Sequence, residues 1–247
     1  MSDPILAVSD VSKRYRIYFE KPSLLRSVLP ALFGAGTYRD FWALRDISLS
    51  AARGECLGII GANGSGKSTL LKAIAGVTAP TSGRIAVNGT ISSLLELGAG
   101  FHPELTGREN IYLNASILGM TRAEINARFA AIVEFSGLHE FINTRLYTYS
   151  SGMCLRLGFA IAISVPFDLL LIDEIIAVGD PAFQHKCSAH VLNLKKQGKT
   201  IIIVSHFMDA ITSLCDRVIW LDHGRIAASG PVNEITGRFL AASGGNP

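Results

Sequence analysis

Charge is scarce in this 247-residue sequence: Asp, Glu, Lys and Arg make up 17% of it, against roughly 25% in an average soluble chain. Neither sign dominates, with 23 basic and 20 acidic residues and a net charge of +3. So small an excess does not call for a nucleic-acid partner, and the composition is neither disordered nor that of an acidic tail. Cysteine is sparse and scattered. Cys56, Cys154, Cys187 and Cys215 form no CxxC pair, which excludes a disulfide framework and a zinc ribbon and leaves reduced, mostly buried thiols of a cytosolic protein. The opening Met1-Ser2-Asp3-Pro4 lacks the basic and apolar regions of a secretory leader. No run of 18 uncharged apolar residues occurs. The nearest stretch, Leu157 to Phe167, ends at Asp168. Any work at a membrane is therefore expected from the cytosolic side and through a partner. Repeats and low-complexity segments are also missing.

The sequence has apolar content instead. Mean hydropathy is +0.34, which reads either as a well-filled α/β core or as apolar surface covered by a partner. The length suits one large domain. Ile5 to Val11 reads as a strand that continues to Tyr18, followed by strands over Ile47–Ser50, Glu55–Ile60, Arg84–Val87 and Ile91–Leu95. Leu169–Ile172 and Thr200–Val204 are wholly apolar, as in the buried centre of a parallel sheet. Val218–Leu221, a His223-Gly224 turn and Arg225–Ser229 read as a hairpin. Helices are expected over Ser68–Ala75, Glu109–Leu118, Arg122–Phe135 and Ser150–Ile163. Strands alternating with helices give an α/β fold. Between Pro22 and Gly36, apolar residues at Leu24, Leu25, Val28, Leu29, Leu32 and Phe33 predict an inserted helix, with the whole insert spanning about 19–40.

Gly61-Ala62-Asn63-Gly64-Ser65-Gly66-Lys67-Ser68 matches G-x-x-x-x-G-K-[ST], between an apolar strand and a helix. Glycines let successive N–H groups curl around phosphate oxygens, and the following helix points its positive end at the same anion. Lys67 reaches the outer phosphates, the Ser68 hydroxyl ligates Mg²⁺, and Thr69 follows in the first helical turn. The ligand class is thus a nucleotide with Mg²⁺.

Asp173 and Glu174 stand at the carboxyl end of a buried strand. Asp173 is placed to hold Mg²⁺ and Glu174 to polarise an attacking water. His206 ends the next apolar run, at the edge where open α/β sheets bind ligands, and is placed to contact a γ-phosphate.

Tyr149-Ser150-Ser151-Gly152-Met153 opens a helix, with Ser151 standing 22 residues before Asp173. With these motifs in register, nearly the whole chain resembles the ATP-binding cassette ATPases. That resemblance implies a P-loop NTPase fold: a RecA-like core, an antiparallel β subdomain and a helical signature subdomain over about 97–165, in a single nucleotide-binding domain over 1–247. It implies ATP hydrolysis, with Ser151-Gly152 as signature residues at the γ-phosphate held by a second copy in a head-to-tail dimer. Val178-Gly179-Asp180 occupies the place of the family's D-loop. The family's glutamine before the helical subdomain is missing, and Glu96 is taken as its stand-in at the metal. The adenine-stacking aromatic is assigned to Tyr15, with Trp42 as the alternative.

Leu95-Glu-Leu-Gly-Ala-Gly-Phe-His-Pro-Glu-Leu-Thr-Gly-Arg-Glu-Asn110, the Ser-Ser-Gly signature and the long segment between Tyr15 and Trp42 are similar to one branch of that family, which exports O-antigen polysaccharide, teichoic acid and some capsules. The branch implies an ATPase subunit at the cytoplasmic face of the inner membrane, bound to an integral-membrane permease dimer that itself handles the lipid-linked glycan, with no nucleic acid involved. Ending soon after its last hairpin, the chain is expected to lack the carbohydrate-binding domain of longer members. The rival readings are a cassette ATPase for another cargo and a non-transport cassette ATPase acting on DNA or ribosomes.

Overall fold

The structure is a computed structural model that describes residues 3–18, 38–95, 97–173, 180–205, 207–242 and 244. The expected 22–36 helix, Glu96, Glu174, Val178, Gly179 and His206 lie outside the described residues.

Two sheets form the frame. β1 (Leu6–Tyr18), β2 (Tyr38–Ala51) and β4 (Ser82–Val87) make an antiparallel sheet in the order β2-β1-β4. The second sheet has the order β5-β6-β7-β3-β8-β9, from β3 (Cys56–Ile60), β5 (Ile91–Ser93), β6 (Leu169–Asp173), β7 (Thr200–Val204), β8 (Arg217–Asp222) and β9 (Arg225–Pro231). Its strands run parallel except for the β8–β9 hairpin. Around it lie α1 (Lys67–Ile74), α2 (Gly107–Ile117), α3 (Arg122–Ser136), α4 (Ser151–Ser164), α5 (Pro181–Lys196), α6 (Met208–Leu214) and α7 (Val232–Ala242).

The apolar strands are buried on both faces because strand side chains alternate. Leu169, Leu171, Ile202 and Val204 face the antiparallel sheet and α1, packing on Leu6, Leu44, Leu70 and Leu71. Leu170, Ile172, Ile201 and Ile203 face the other way, onto Phe183 and Val191 of α5, Ile211 of α6 and Ile235 of α7. Fully burying each such aliphatic side chain contributes about 1.5–3 kcal/mol. A third core, with Ile111, Ile125, Ile132, Leu157 and Ile161, joins α2, α3 and α4. The mixed α/β expectation, with an antiparallel sheet and a helical unit, holds.

Local chemistry sets the helix ends. Thr106 and Thr121 each accept from the N–H three residues on, while Glu109 and Glu124 bond back to the cap, and Gly137 ends α3 at φ 67°. Asp180 caps α5 ahead of Pro181.

Two features correct the sequence reading. The inserted segment cannot run to residue 40, because Tyr38, Arg39 and Asp40 pair with Tyr18, Ile17 and Arg16 in the β1–β2 ladder. Three helices, α5, α6 and α7, also join the predicted ones, and α5 buries Phe183, Cys187, Val191 and Leu194 along one stripe.

Candidate nucleotide site

β3 delivers the chain to the carboxyl edge of the parallel sheet, and Gly61–Ser68 turns there. Gly61, Gly64 and Gly66 have φ of 152°, 78° and 107°, conformations that side chains resist. Gly66 is the N-cap of α1, with no side-chain cap and no acidic residue in the first turn. The first N–H groups of α1 therefore remain available to an anion. The Ser65 hydroxyl is buried with no hydrogen-bond partner among the described residues. Such an orphan at a phosphate-type loop fits a ligand that supplies acceptor oxygens.

Lys67 is 6% exposed. Its Nζ donates to the carbonyl oxygens of Gly61 at 2.8 Å and Ala62 at 3.0 Å. The ammonium thus holds the start of the loop against its end and carries the positive charge of the site. A cavity of about 250 Å³ opens over the loop, lined by Asn63, Gly64, Gly66, Lys67, Ser68, Thr69 and, from β2, Phe41 and Ala43.

The aromatic on this cavity is Phe41. Tyr15 stands opposite Phe41 in the ladder, so the two share a face of the ribbon. Trp42 points to the other face, where the Arg14 guanidinium lies 5.5 Å from its ring centroid. The signal for Phe41 was its period-two relation to Ala43, which is buried at the loop.

Asp173 ends β6. Asp173 pairs with Val204, and Val204 also pairs with Ile59. The carboxylate therefore stands level with the end of the strand that feeds the loop, two strands away, or about 10 Å by sheet spacing. Ser68 and Asp173 offer a hydroxyl and a carboxylate, the hard oxygen donors that Mg²⁺ takes alongside phosphate and water. Beyond β7, the Phe207 N–H donates to the Ser205 hydroxyl at 3.0 Å. The predicted Glu174, His206 and Glu96 lie outside the described residues.

A second anion-ready helix end lies elsewhere. Ser150 is the N-cap of α4, its hydroxyl accepting from the Met153 N–H at 3.2 Å. Ser151 and Gly152 form the first turn. A cavity of about 490 Å³ there is lined by Ser150, Ser151, Gly152, Met153, Arg156 and Asp180, among others. Arg156 is ion-paired with Asp180, whose other oxygen caps α5 through the Phe183 N–H at 2.9 Å. This cavity and the phosphate-loop cavity share no lining residue.

The cysteines are free thiols. Burial pushes Cys187 up to about 12 and raises Cys154. Cys215 is raised first by its hydrogen bond with Cys56 and then by burial. All three therefore stay protonated and inert at neutral pH.

Comparison with known proteins agrees with this geometry. Residues 44–177 match the family model described as ABC transporter. An O-antigen export system ATP-binding protein, RfbB of Klebsiella pneumoniae, is 44% identical over 94% of this chain and 96% of its own length. A teichoic acids export ATP-binding protein, TagH of Listeria innocua serovar 6a, is 41% identical over 95% of this chain and 69% of its own length. Among solved structures, the dimeric post-hydrolysis state of the ATP-binding cassette MJ0796, bound to ADP and Pi, superposes with a TM-score of 0.73 at 22% identity, covering 92% of this chain and 98% of that one. No described helix is long and apolar enough to cross a membrane.

Proposed function

Because the chain belongs to the ABC transporter family, as its ATP-binding and ATP-hydrolysing component, we propose that it powers the export of a lipid-linked polysaccharide of the O-antigen kind. The observation that carries this reading is the 44% identity with the Klebsiella export protein along nearly the full length of both chains. The working place is the cytoplasmic face of the inner membrane, where the chain binds an integral-membrane permease dimer that handles the glycan.

In this reading the phosphates of ATP lie on the N–H groups of Gly64–Thr69, with Lys67 at the outer phosphates and Phe41, beside Tyr15 on the same face of the ladder, stacked on the adenine. Ser68 and Asp173 would hold Mg²⁺, which would supply neutralisation of the outer-phosphate charge. Glu174 orients and polarises the attacking water, and His206 supports the γ-phosphate. The separation of the two anion-ready helix ends, α1 and α4, supports a head-to-tail dimer. In it, Ser151 and Gly152 of one copy face the γ-phosphate held by its partner. One phosphate loop and one signature per chain make two complete sites in a twofold pair. ATP binding closes the dimer, hydrolysis reopens it, and the permease converts that motion into export.

A pull-down from gently solubilised native membranes, with mass spectrometry of the partner, tests the proposal. It predicts a polytopic protein with about six hydrophobic spans of about 20 residues each. Purely soluble, ribosomal or DNA-bound partners would remove the export reading and leave the ATPase. The Listeria relative supports teichoic acid as the second cargo reading, and assaying both glycans in vesicles with the recovered permease separates the two.

A further inference from the structure

We propose that the turn of the β8–β9 hairpin is a brace that aims the phosphate loop, with Gly224 as a positioning residue for nucleotide binding. The proposal rests on the reading of Gly61–Ser68 as the ATP site. Three backbone segments meet at this point. The Gly224 N–H donates to the carbonyl of Ser65 in the loop at 2.9 Å, and the Gly224 carbonyl accepts from the Arg45 N–H of β2 at 2.8 Å. Gly224 has φ 77°, and a Cβ there would come within 2.7 Å of the Ala43 carbonyl oxygen. A Cβ at Gly66 would come within 2.6 Å of the same oxygen. Only glycine at both positions lets loop, hairpin and strand close on one another.

The surroundings hold this arrangement. His223, just before Gly224, has φ 44°, a conformation uncommon for a residue with a side chain. That side chain is 95% exposed and its Nε2 lies 3.8 Å from the carboxylate of its chain neighbour Asp222, so it reaches neither the loop nor β2 and the uncommon backbone serves the turn. On the other side Arg225 pairs with Asp46 of β2 at 3.1 Å, pinning the hairpin to the strand that carries Ala43.

The bond to Ser65 acts through peptide geometry. In a trans peptide the C=O and the N–H point in opposite directions. Drawing the Ser65 carbonyl onto Gly224 turns the Gly66 N–H away from the hairpin. It also keeps a carbonyl dipole from rotating toward the anion. The loop is thereby set before the phosphates arrive, and preorganisation of this kind appears as affinity. Binding is linked reciprocally to the brace: nucleotide that favours the aimed loop also tightens the Ser65–Gly224 bond.

The test has two parts. Hydrogen exchange on the wild-type chain, with and without Mg-ATP, should show protection of the 61–69 segment together with 222–226. Protection of 61–69 alone overturns the brace and leaves the ATP site standing. Protection of neither overturns both. The second part measures ATP affinity and steady-state turnover in Gly224→Ala and His223→Ala. Gly224→Ala should raise Kd and KM by about ten-fold or more, ~1.4 kcal/mol, with kcat at saturation within about two-fold, the pattern of lost uniform binding. His223→Ala should leave Kd within about two-fold, since that side chain aims nothing. A Gly224→Ala protein that melts earlier yet binds ATP as well as wild type has a purely structural glycine and overturns the proposal. If Gly224→Ala does not fold, the exchange experiment on the intact chain decides.

Discussion

Phe41 lies directly across the β1–β2 ladder from Tyr15, and of these two rings it is Phe41 that lines the phosphate-loop cavity. At 49% exposure against 39% for Tyr15, it has the open ring face that a flat base needs. Base–aromatic stacking is worth ~1–3 kcal/mol by alanine substitution. Phe41→Ala is therefore expected to weaken ATP binding by roughly ten-fold, Phe41→Tyr to preserve it, and Tyr15→Ala to act more weakly, since Tyr15 stands beside Phe41 and does not line the cavity. Equilibrium titration of the three variants checks the order. A larger loss in Tyr15→Ala than in Phe41→Ala would hand the stacking role to Tyr15.

The chemical step is expected to rest on Glu174, which follows Asp173 at the carboxyl edge of the sheet. Glu174→Gln keeps the shape and removes the base. A positioned general base contributes about 10²–10⁴-fold, so turnover should fall by that range while ATP affinity stays within about two-fold. Rapid steady-state hydrolysis by the variant would remove Glu174 from the role.

The phosphate loop was legible in the sequence because its chemistry is local. Glycines at 61, 64 and 66, a lysine and a hydroxyl residue state the requirement within eight positions. β6 and β7 were legible because strands buried on both faces are unbroken apolar runs. The start of β2 was not, because Tyr38 to Asp40 become strand by pairing with Arg16 to Tyr18 across an intervening segment, and pairing of that kind leaves no local pattern. The same ladder hid Phe41. Phe41 reaches the loop cavity through its pairing with Tyr15, whereas the end of the first strand points to Tyr15 and the spacing to the loop points to Trp42. The stripe Phe183, Cys187, Val191, Leu194 behind Asp180-Pro181 was a helix signal that the apolar strands on either side overshadowed.

Asp168 supplies a pH-dependent contribution to the junction of β5 and β6. The backbone N–H of Thr90 donates to its carboxylate at 2.9 Å and the Thr90 hydroxyl at 3.0 Å. These bonds, the backbone one first, hold its pKa below the ordinary carboxylate value. A depressed folded pKa means that ionised Asp168 favours the fold at neutral pH, and that this contribution is lost as pH falls through the depressed value. Asp168→Asn should therefore lower the urea midpoint at neutral pH, and the gap should close as pH falls below the ordinary carboxylate value and through the depressed one. A gap that stays constant across that range would show that packing, not charge, is what Asp168 contributes.

Gly107, at the start of α2, is packed against Tyr149 so closely that a Cβ would lie within 2.2 Å of the tyrosine oxygen and 3.2 Å of Ile142 Cδ1. Tyr149 cannot easily withdraw: it is 9% exposed, and its hydroxyl donates to the Phe141 carbonyl at 2.7 Å. Gly107→Ala therefore forces strain into the helical unit that carries Ser150–Gly152, at a cost of about 1–3 kcal/mol. In a chain of this size that lowers Tm by about 2–4 °C per kcal/mol. Tyr149→Phe alone removes a hydrogen bond and costs about 0.5–1.5 kcal/mol. Combined with Gly107→Ala, however, it also removes the oxygen that collides with the new methyl. The double variant should accordingly be more stable than the sum of the single losses, with a coupling of about 0.5–3 kcal/mol. Simple additivity in urea unfolding would mean that the α2–α4 contact yields without moving Tyr149, and the signature end of α4 would then be mechanically independent of α2.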